Sequence, residues 1–106
     1  MTKPDQLKAI LDVDRMVHEP ARLAILMVLS GVAWAEFKLL EELTRLTRGN
    51  LSSHLAKLEE AGYVAIRKGY NGKIPLTTAS LTSTGRKALT EHWERLKRAA
   101  PTSKKG

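Results

Sequence analysis

The sequence predicts a mainly α-helical domain that carries one β-hairpin, which is an α+β fold. Up to Gly62, apolar residues recur at intervals of three and four, the spacing of amphipathic helices. After Gly62 the pattern changes to that of a strand, and Asn71-Gly72 is a strong signal for a hairpin turn. A last stretch with helical spacing follows the hairpin, so the hairpin lies between helices.

The composition suits one small soluble domain. The 106 residues can form a single hydrophobic core, and 42% of them are hydrophobic, more than a disordered chain contains. The absence of cysteine excludes disulfides, thiolate metal sites and a cysteine nucleophile. The longest apolar run, 23–29, is shorter than the roughly 20 residues of a membrane span, and residues 1–7 lack the apolar run of a signal peptide. We therefore expect a cytoplasmic protein without membrane association or cofactor.

The net charge of +7 is concentrated in the C-terminal part of the chain. Residues 1–62 contain 8 Lys or Arg and 9 Asp or Glu, whereas residues 63–106 contain 10 Lys or Arg and 2 Glu. Positive charge collected in one region favours a polyanionic partner, either nucleic acid or an anionic membrane surface. Residues 101–106 have the composition of a basic tail, so the expected domain covers residues 1–100.

The helices follow from apolar spacing and from residues that start and stop helices. Pro20 suits the first turn of a second helix, which is apolar on nearly all sides and should form the centre of the core. Thr47 and Thr82 are suitable N-caps for the last two helices, and Gly62 is placed to end the fourth. The predicted helices span residues 4–17, 21–29, 36–44, 48–61 and 83–99, with a brief strand within 32–36.

The hairpin strands are predicted over 63–68 and 73–81, with a turn at 69–72. Pro75 cannot donate a ladder hydrogen bond and therefore suggests an edge position for the second of these strands. Two helices joined by a short turn and followed by a basic hairpin describe a winged helix-turn-helix, in which the hairpin is the wing.

The fourth helix has the two faces that docking in DNA requires. The major groove is about 12 Å wide and admits one α-helix. Leu51, Leu55 and Leu58 form the inner face, and polar residues form the outer face. Ser52 and His54 lie at the edges of the outer face, where contact with phosphate and simple packing both remain open. The expected DNA contacts are Arg48, Asn50, Ser52, Ser53, His54 and Lys57 on the helix and Arg67, Lys68 and Lys73 on the wing.

Three segments of the chain form a specific pattern when they occur in this order. They are His-Glu-Pro-Ala-Arg-Leu-Ala-Ile-Leu at 18–26, the stretch 46–64 with Asn-Leu-Ser-Ser-His-Leu and Leu-Glu-Glu-Ala-Gly-Tyr-Val, and Leu-Thr-Ser-Thr-Gly-Arg at 81–86. Over about residues 18–89 the chain resembles the MarR/ArsR-type winged-helix transcriptional regulators, especially short single-domain members from archaea and bacteria. The resemblance implies a homodimer that binds palindromic double-stranded DNA and regulates transcription, and it implies no reaction.

The resemblance also implies that the first and last helices pack across a two-fold axis. Trp93 is large for a surface position, and either packing within its own domain or a subunit interface could explain it. We favour the interface, because a long C-terminal helix has little core of its own to cover. The expected dimer interface consists of Leu7, Ile10, Leu11, Leu89, Trp93 and Leu96.

Other functions are less well supported. Ser52-Ser53-His54 contains a nucleophile and a base, but adjacent helical residues point about 100° apart, so we expect no catalytic residues. His18, His54 and His92 are far apart in the sequence and are predicted on different helices, so we expect no metal site. A winged helix can also act as a protein-interaction module or bind RNA. The basic charge on and after the wing argues against the interaction module, and RNA remains open.

Overall fold

Five helices and a three-stranded sheet make up residues 2–101, the part of the chain that this computed structural model describes. This architecture is the predicted winged helix-turn-helix. Pro101 is the one residue of the expected basic tail within the described part. In chain order the elements are α1 (Pro4–Leu11), α2 (Pro20–Ser30), β1 (Ala35–Glu36), α3 (Phe37–Thr44), α4 (Arg48–Glu60), β2 (Val64–Asn71), β3 (Ile74–Leu81) and α5 (Ser83–Ala99).

Helix α2 forms the centre of the core, as its sequence predicts. Ile25, Leu26 and Leu29 are fully buried. Pro20 occupies the first position of the helix, where its missing N–H has no intrahelical partner to lose. The carboxylate of Glu19 caps this end by accepting hydrogen bonds from the backbone N–H groups of Ala21 and Arg22. Helices α3, α4 and α5 and strand β3 pack around this helix.

The first helix is shorter than predicted and ends at Leu11 instead of residue 17. Asp14 explains the difference, because its carboxylate accepts a hydrogen bond from the backbone N–H of Met16 two residues later. Such side-chain turns compete with the helix for backbone partners. The other carboxylate oxygen of Asp14 accepts from the hydroxyl of Tyr63 and raises the pKa of Tyr63 to about 12. Residues 12–19 therefore form a connection that is tied to the body of the domain.

A tight turn separates α3 from α4. Arg45 adopts the left-handed conformation with φ 59° and ends α3. Thr47 then caps α4, because its hydroxyl oxygen accepts a hydrogen bond from the backbone N–H of Asn50. The turn fixes the angle at which α4 leaves α3, and the leucines of α4 then pack into the core.

The sheet has the strand order β1-β3-β2, and both pairs are antiparallel. Asn71 pairs with Ile74, so the loop of the hairpin consists of Gly72 and Lys73, and residues 69–71 of the predicted turn belong to β2 instead. Gly72 has a φ of 65°, the conformation that the first position of such a two-residue turn requires. β3 is the central strand, but Pro75 lies beyond the reach of β1 and pairs only with Tyr70. The prediction of an edge position is therefore confirmed for Pro75 itself, which has a paired strand on one side only, but it is wrong for β3 as a whole.

The start of α5 is fastened to the joint between α4 and the wing. A Cβ at Gly85 would lie 2.1 Å from the carbonyl oxygen of Tyr63, so only glycine fits there. Thr82 caps α5 by accepting from the N–H of Gly85 and donates its own hydroxyl hydrogen to the carbonyl oxygen of Gly62. Gly62 itself has a φ of 82° and ends α4 as predicted.

Candidate nucleic-acid interface

Helix α4 separates its apolar and polar residues cleanly. Leu51, Leu55 and Leu58 are buried in the core. On the opposite side of the helix, five of the six polar residues that the sequence predicted to contact DNA are exposed: Arg48, Asn50, Ser52, Ser53 and Lys57. Arg48 has an ion-pair partner, since its Nε lies 3.6 Å from the carboxylate of Glu41. The side chain of Arg48 is 83% exposed, so this pair is weak and leaves the guanidinium available.

His54 lies apart from this exposed face. Its side chain is half-buried against α2, with Nδ1 3.3 Å from the guanidinium of Arg22 and 3.6 Å from the carboxylate of Glu19. Arg22 also donates from Nε to the carbonyl oxygen of Met16. This packing is one of the two roles that the sequence left open for His54. Its imidazole ties the middle of α4 to the N-terminus of α2.

The charge of Glu19 is stabilised by this arrangement. Burial opposes the ionised form, but the N–H groups of Arg22 and Ala21 and the nearby His54 and Arg22 side chains outweigh it and lower the pKa of the Glu19 carboxyl. A stable carboxylate beside the half-buried Arg22 and His54 makes this cluster a structural anchor for α4.

The two neighbouring cations of β2 lie on opposite faces of the sheet. Ile66 pairs with the buried Ala79, which identifies the core face, and alternation places Lys68 on that same face and Arg67 on the other. The guanidinium carbon of Arg67 lies 4.1 Å from the centre of the Trp34 ring, a cation–π contact. The third cation, Lys73, is part of the turn at the tip of the wing. The predicted wing contacts are therefore spread over two faces and the tip.

A groove runs between the wing and helices α3 and α4. Its walls carry positive side chains from three elements, Lys38 of α3, Arg48 of α4 and Lys68 of β2, together with Ser52. Glu36 and Glu59 also line it. Sequence reasoning missed Lys38, because nothing in the local pattern shows that the start of α3 faces the wing. Its position in the first turn of α3, one of the two helices of the helix-turn-helix motif, could have suggested it.

Eight of the ten cations of residues 63–106 lie in two elements, the hairpin and α5. The hairpin, residues 64–81, contains Arg67, Lys68 and Lys73 and no Asp or Glu. A further five of the cations belong to α5, where they accompany Glu91 and Glu94. The charge asymmetry of the sequence is therefore shared, because the hairpin holds three of the ten cations and α5 holds five.

Helix α1 packs against α5 of the same chain, with the side-chain amide of Gln6 donating to the carbonyl oxygen of Ala100. Of the predicted interface residues, Leu89 is only 6% exposed and belongs to the chain's own core, so it has little surface to offer a partner. Leu11 is 74% exposed and Trp93 is 37% exposed. The remaining predicted residues are Leu7, which is exposed, and Ile10 and Leu96, which are half-buried.

Two of the three histidines are neighbours, which the sequence did not predict. Nδ1 of His18, in the connection 12–19, lies 3.4 Å from Nε2 of the fully buried His92 on α5. Burial, and then the proximity of His18, lower the pKa of His92 and favour its neutral form. Within residues 2–101 no group of three or more His, Cys, Asp or Glu residues is arranged to hold a metal ion. In the same range, no helix combines the length and the apolar composition needed to cross a membrane.

The comparison with known families agrees with this geometry. The family of winged helix DNA-binding domains matches residues 21–100, and the chain belongs to this family. The chain is 38% identical over 76 residues to an uncharacterised protein of Methanocaldococcus jannaschii. The matched stretch covers 71% of this chain and 82% of that protein. This family confirms the winged-helix class that the sequence pattern predicted, and the solved structures that share the fold include a MarR-family transcriptional regulator.

Solved structures share the fold. A transcriptional regulator homologue from Pyrococcus horikoshii is 30% identical and superposes with a TM-score of 0.78 over 87% of this chain and 90% of that one. A MarR-family transcriptional regulator from Silicibacter pomeroyi is 18% identical, with a TM-score of 0.64 over 89% of this chain and 62% of that one. The second likeness shows the fold alone, because the sequences have diverged widely.

Proposed function

We propose that this protein binds double-stranded DNA in a sequence-specific manner as a homodimer and thereby regulates transcription. Helix α4 enters the major groove, and the wing lies on the flanking backbone or minor groove. The observation that supports this most strongly is α4 itself, with three buried leucines on one side and exposed polar residues on the other, beside a hairpin that contains no carboxylate. The description of the Pyrococcus horikoshii relative as a transcriptional regulator homologue supports the regulatory role.

Base reading is assigned to the exposed face of α4. Arg48 and Asn50 are in its first turn, the part of a recognition helix that contributes base contacts. The amide of Asn50 can donate and accept at once, which matches the edge of adenine, and Arg48 can bond guanine. Ser53 and Lys57 extend the same face by one and two further turns.

Phosphate contacts are assigned to the groove and to the tip of the wing. The protein groove between the wing and α4 is lined by Lys38, Ser52 and Lys68, and Lys73 lies at the tip of the wing. In the proposed complex, the DNA backbone that separates the major from the minor groove passes through this protein groove. Phosphate contacts position a protein on DNA without reading sequence. His54 and Arg67 have partners within the protein, so we assign them supporting roles for α4 and for the wing.

The DNA proposal is tested by gel-shift titration of a random duplex pool and of a structured RNA of similar length at one low salt concentration. We expect shifted duplex at micromolar protein or below and weaker binding to the RNA. Selection of bound fragments should then yield an inverted repeat whose half-sites are about one helical turn, roughly 34–36 Å, apart. Absence of duplex binding would favour an interaction module, and stronger RNA binding would favour an RNA-binding winged helix.

The homodimer is assigned to the apolar surface that α1 and α5 leave exposed, which comprises Leu7, Leu11 and Trp93 with the half-buried Ile10 and Leu96. Clustered apolar side chains on a surface mark an association site. Sedimentation of the wild type at tens of micromolar should give a dimer, and Trp93→Ala should shift it toward monomer. DNA affinity should fall with it, because half-site binding loses the linked second contact. A wild-type monomer at that concentration would contradict the proposal.

A further inference from the structure

The tip of the wing is apolar as well as basic. Tyr70 and Ile74 are 75% and 69% exposed, among the most exposed large apolar side chains of the described residues. They flank the two-residue turn that contains Lys73, and no third strand or helix covers them. Sequence reasoning assigned only the cations of the wing to DNA, so these two side chains have no role in the function proposed above.

The strand register separates the two side chains by face. Tyr70 pairs with Pro75 and lies two residues after Lys68, so it shares the face of Lys68. Pro75, Lys68 and Thr77 line the groove beside α4, which shows that this face is turned toward the proposed DNA site. Ile74 pairs with Asn71 and alternates to the other face, the face that carries Arg67.

We infer that Tyr70 inserts its ring into the minor groove next to the half-site that α4 reads, against the apolar sugar edges that form the groove walls. The inference rests on the proposed DNA-binding function and deepens it. Minor-groove proteins use apolar side chains in this way, and the groove, about 6 Å wide, admits a side chain at the tip but not the body of a ribbon.

Charge and spacing support DNA as the occupant of this tip. The hairpin contains three cations and no carboxylate. This charge favours a polyanion as the binding partner and disfavours an apolar protein surface that lacks acidic residues. Tyr70 is two residues, about 7 Å of strand, beyond Lys68. If Lys68 contacts the DNA backbone between the two DNA grooves, strand β2 therefore extends past that backbone and places the ring of Tyr70 in the minor groove.

The test compares Tyr70→Ala with Ile74→Ala, a matched control of similar exposure on the opposite face. The ligand is an A·T-rich duplex of about 30 base pairs, long enough for two half-sites and their flanks. Tyr70→Ala should weaken binding roughly three- to tenfold with an unchanged salt slope, because no charge is lost. Ile74→Ala should stay within about twofold of the wild type. No loss in Tyr70→Ala, or an equal loss in both variants, would overturn the inference.

Two further measurements identify the nature and place of the contact. Tyr70→Phe should bind like the wild type, because the apolar ring makes the contact, and a loss equal to that of Tyr70→Ala would contradict an apolar contact. Saturating the duplex with netropsin, which occupies A·T minor grooves, should abolish the difference between wild type and Tyr70→Ala, and a difference that persists would place the ring elsewhere. A wild type that binds no duplex would instead overturn the proposed function itself, so the two failures are distinguishable.

Discussion

Helix α4 and the wing face the same proposed ligand, yet the fold holds them in different ways. Helix α4 is fixed by three buried leucines, by the Thr47 cap and by the contact of His54 with Arg22. The outer part of the wing is held by pairing between β2 and β3 alone, since β1 contacts β3 only at residues 78 and 79. One element is part of the core, and the other projects from it.

This difference divides the expected functions. Base reading requires side chains that are held in fixed positions, and the three buried leucines of α4 hold this helix in place. Contact with phosphate and with the minor groove tolerates an element that adjusts to the local shape of the DNA. Substitutions on α4 should therefore change sequence discrimination, whereas substitutions on the wing should change affinity for all duplexes.

The largest effect is expected where the two elements are joined. Gly85→Ala places a Cβ against the backbone carbonyl of Tyr63, between the end of α4 and the start of β2, and should lower the free energy of unfolding by about 2–4 kcal/mol. Urea unfolding measures the loss. Gly49→Ala is the matched control, because Gly49 also lies in the first turn of a helix but has open space around it, and it should not destabilise. Equal stability of Gly85→Ala and wild type would refute the close packing of this joint.

The next effect concerns base reading by α4. Asn50→Ala should cost about 1–3 kcal/mol on the selected site and little on random duplex, where phosphates supply nearly all the affinity. The fold should be retained, because the side chain of Asn50 is exposed. Titrations of both duplexes at one salt concentration give the ratio of specific to random affinity. If this ratio does not fall, the reading face of α4 has been assigned wrongly.

A smaller effect tests the turn that precedes α4. Arg45 holds a left-handed conformation that costs an L-residue about 1–2 kcal/mol, whereas glycine adopts it freely. Arg45→Gly should therefore raise the free energy of unfolding by roughly 0.5–1 kcal/mol, after the greater flexibility of the unfolded glycine chain is subtracted. Arg45→Ala cannot relieve the strain and should be no more stable than the wild type. A destabilised Arg45→Gly would mean that the Arg45 side chain makes contacts that outweigh its backbone strain.

The smallest effect belongs to a single cation of the wing. Lys73→Ala should weaken binding to all duplexes alike and lower the slope of log affinity against log salt by about 0.9, the contribution of one phosphate contact. Lys97→Ala on α5 is the control, since Lys97 is also an exposed lysine but lies outside the proposed DNA interface. An unchanged slope in Lys73→Ala would show that the tip of the wing does not contact the backbone.

Much of this arrangement could be predicted from the sequence. The leucine spacing of α4, the Thr47 and Thr82 caps and Gly62 set local structure through interactions among near neighbours in the chain, and the structure shows these elements as predicted. The order of helices and hairpin then sufficed for the winged helix-turn-helix fold. The extent of the first helix was wrong, because the bond from Asp14 to Met16 competes with the helical pattern and helical spacing alone does not reveal it.

The sequence by itself determined the periodic elements, their caps and the basic character of the wing, because each depends on residues a few positions apart. Only the tertiary structure decided which side chains remain free for a ligand. His54 turns to Arg22, Arg67 turns to Trp34 and Leu89 enters the core, each through a partner distant in the chain. The requirement for glycine at position 85 also comes from a partner distant in the chain. The carbonyl that excludes a side chain there belongs to Tyr63, which is 22 residues away in the sequence.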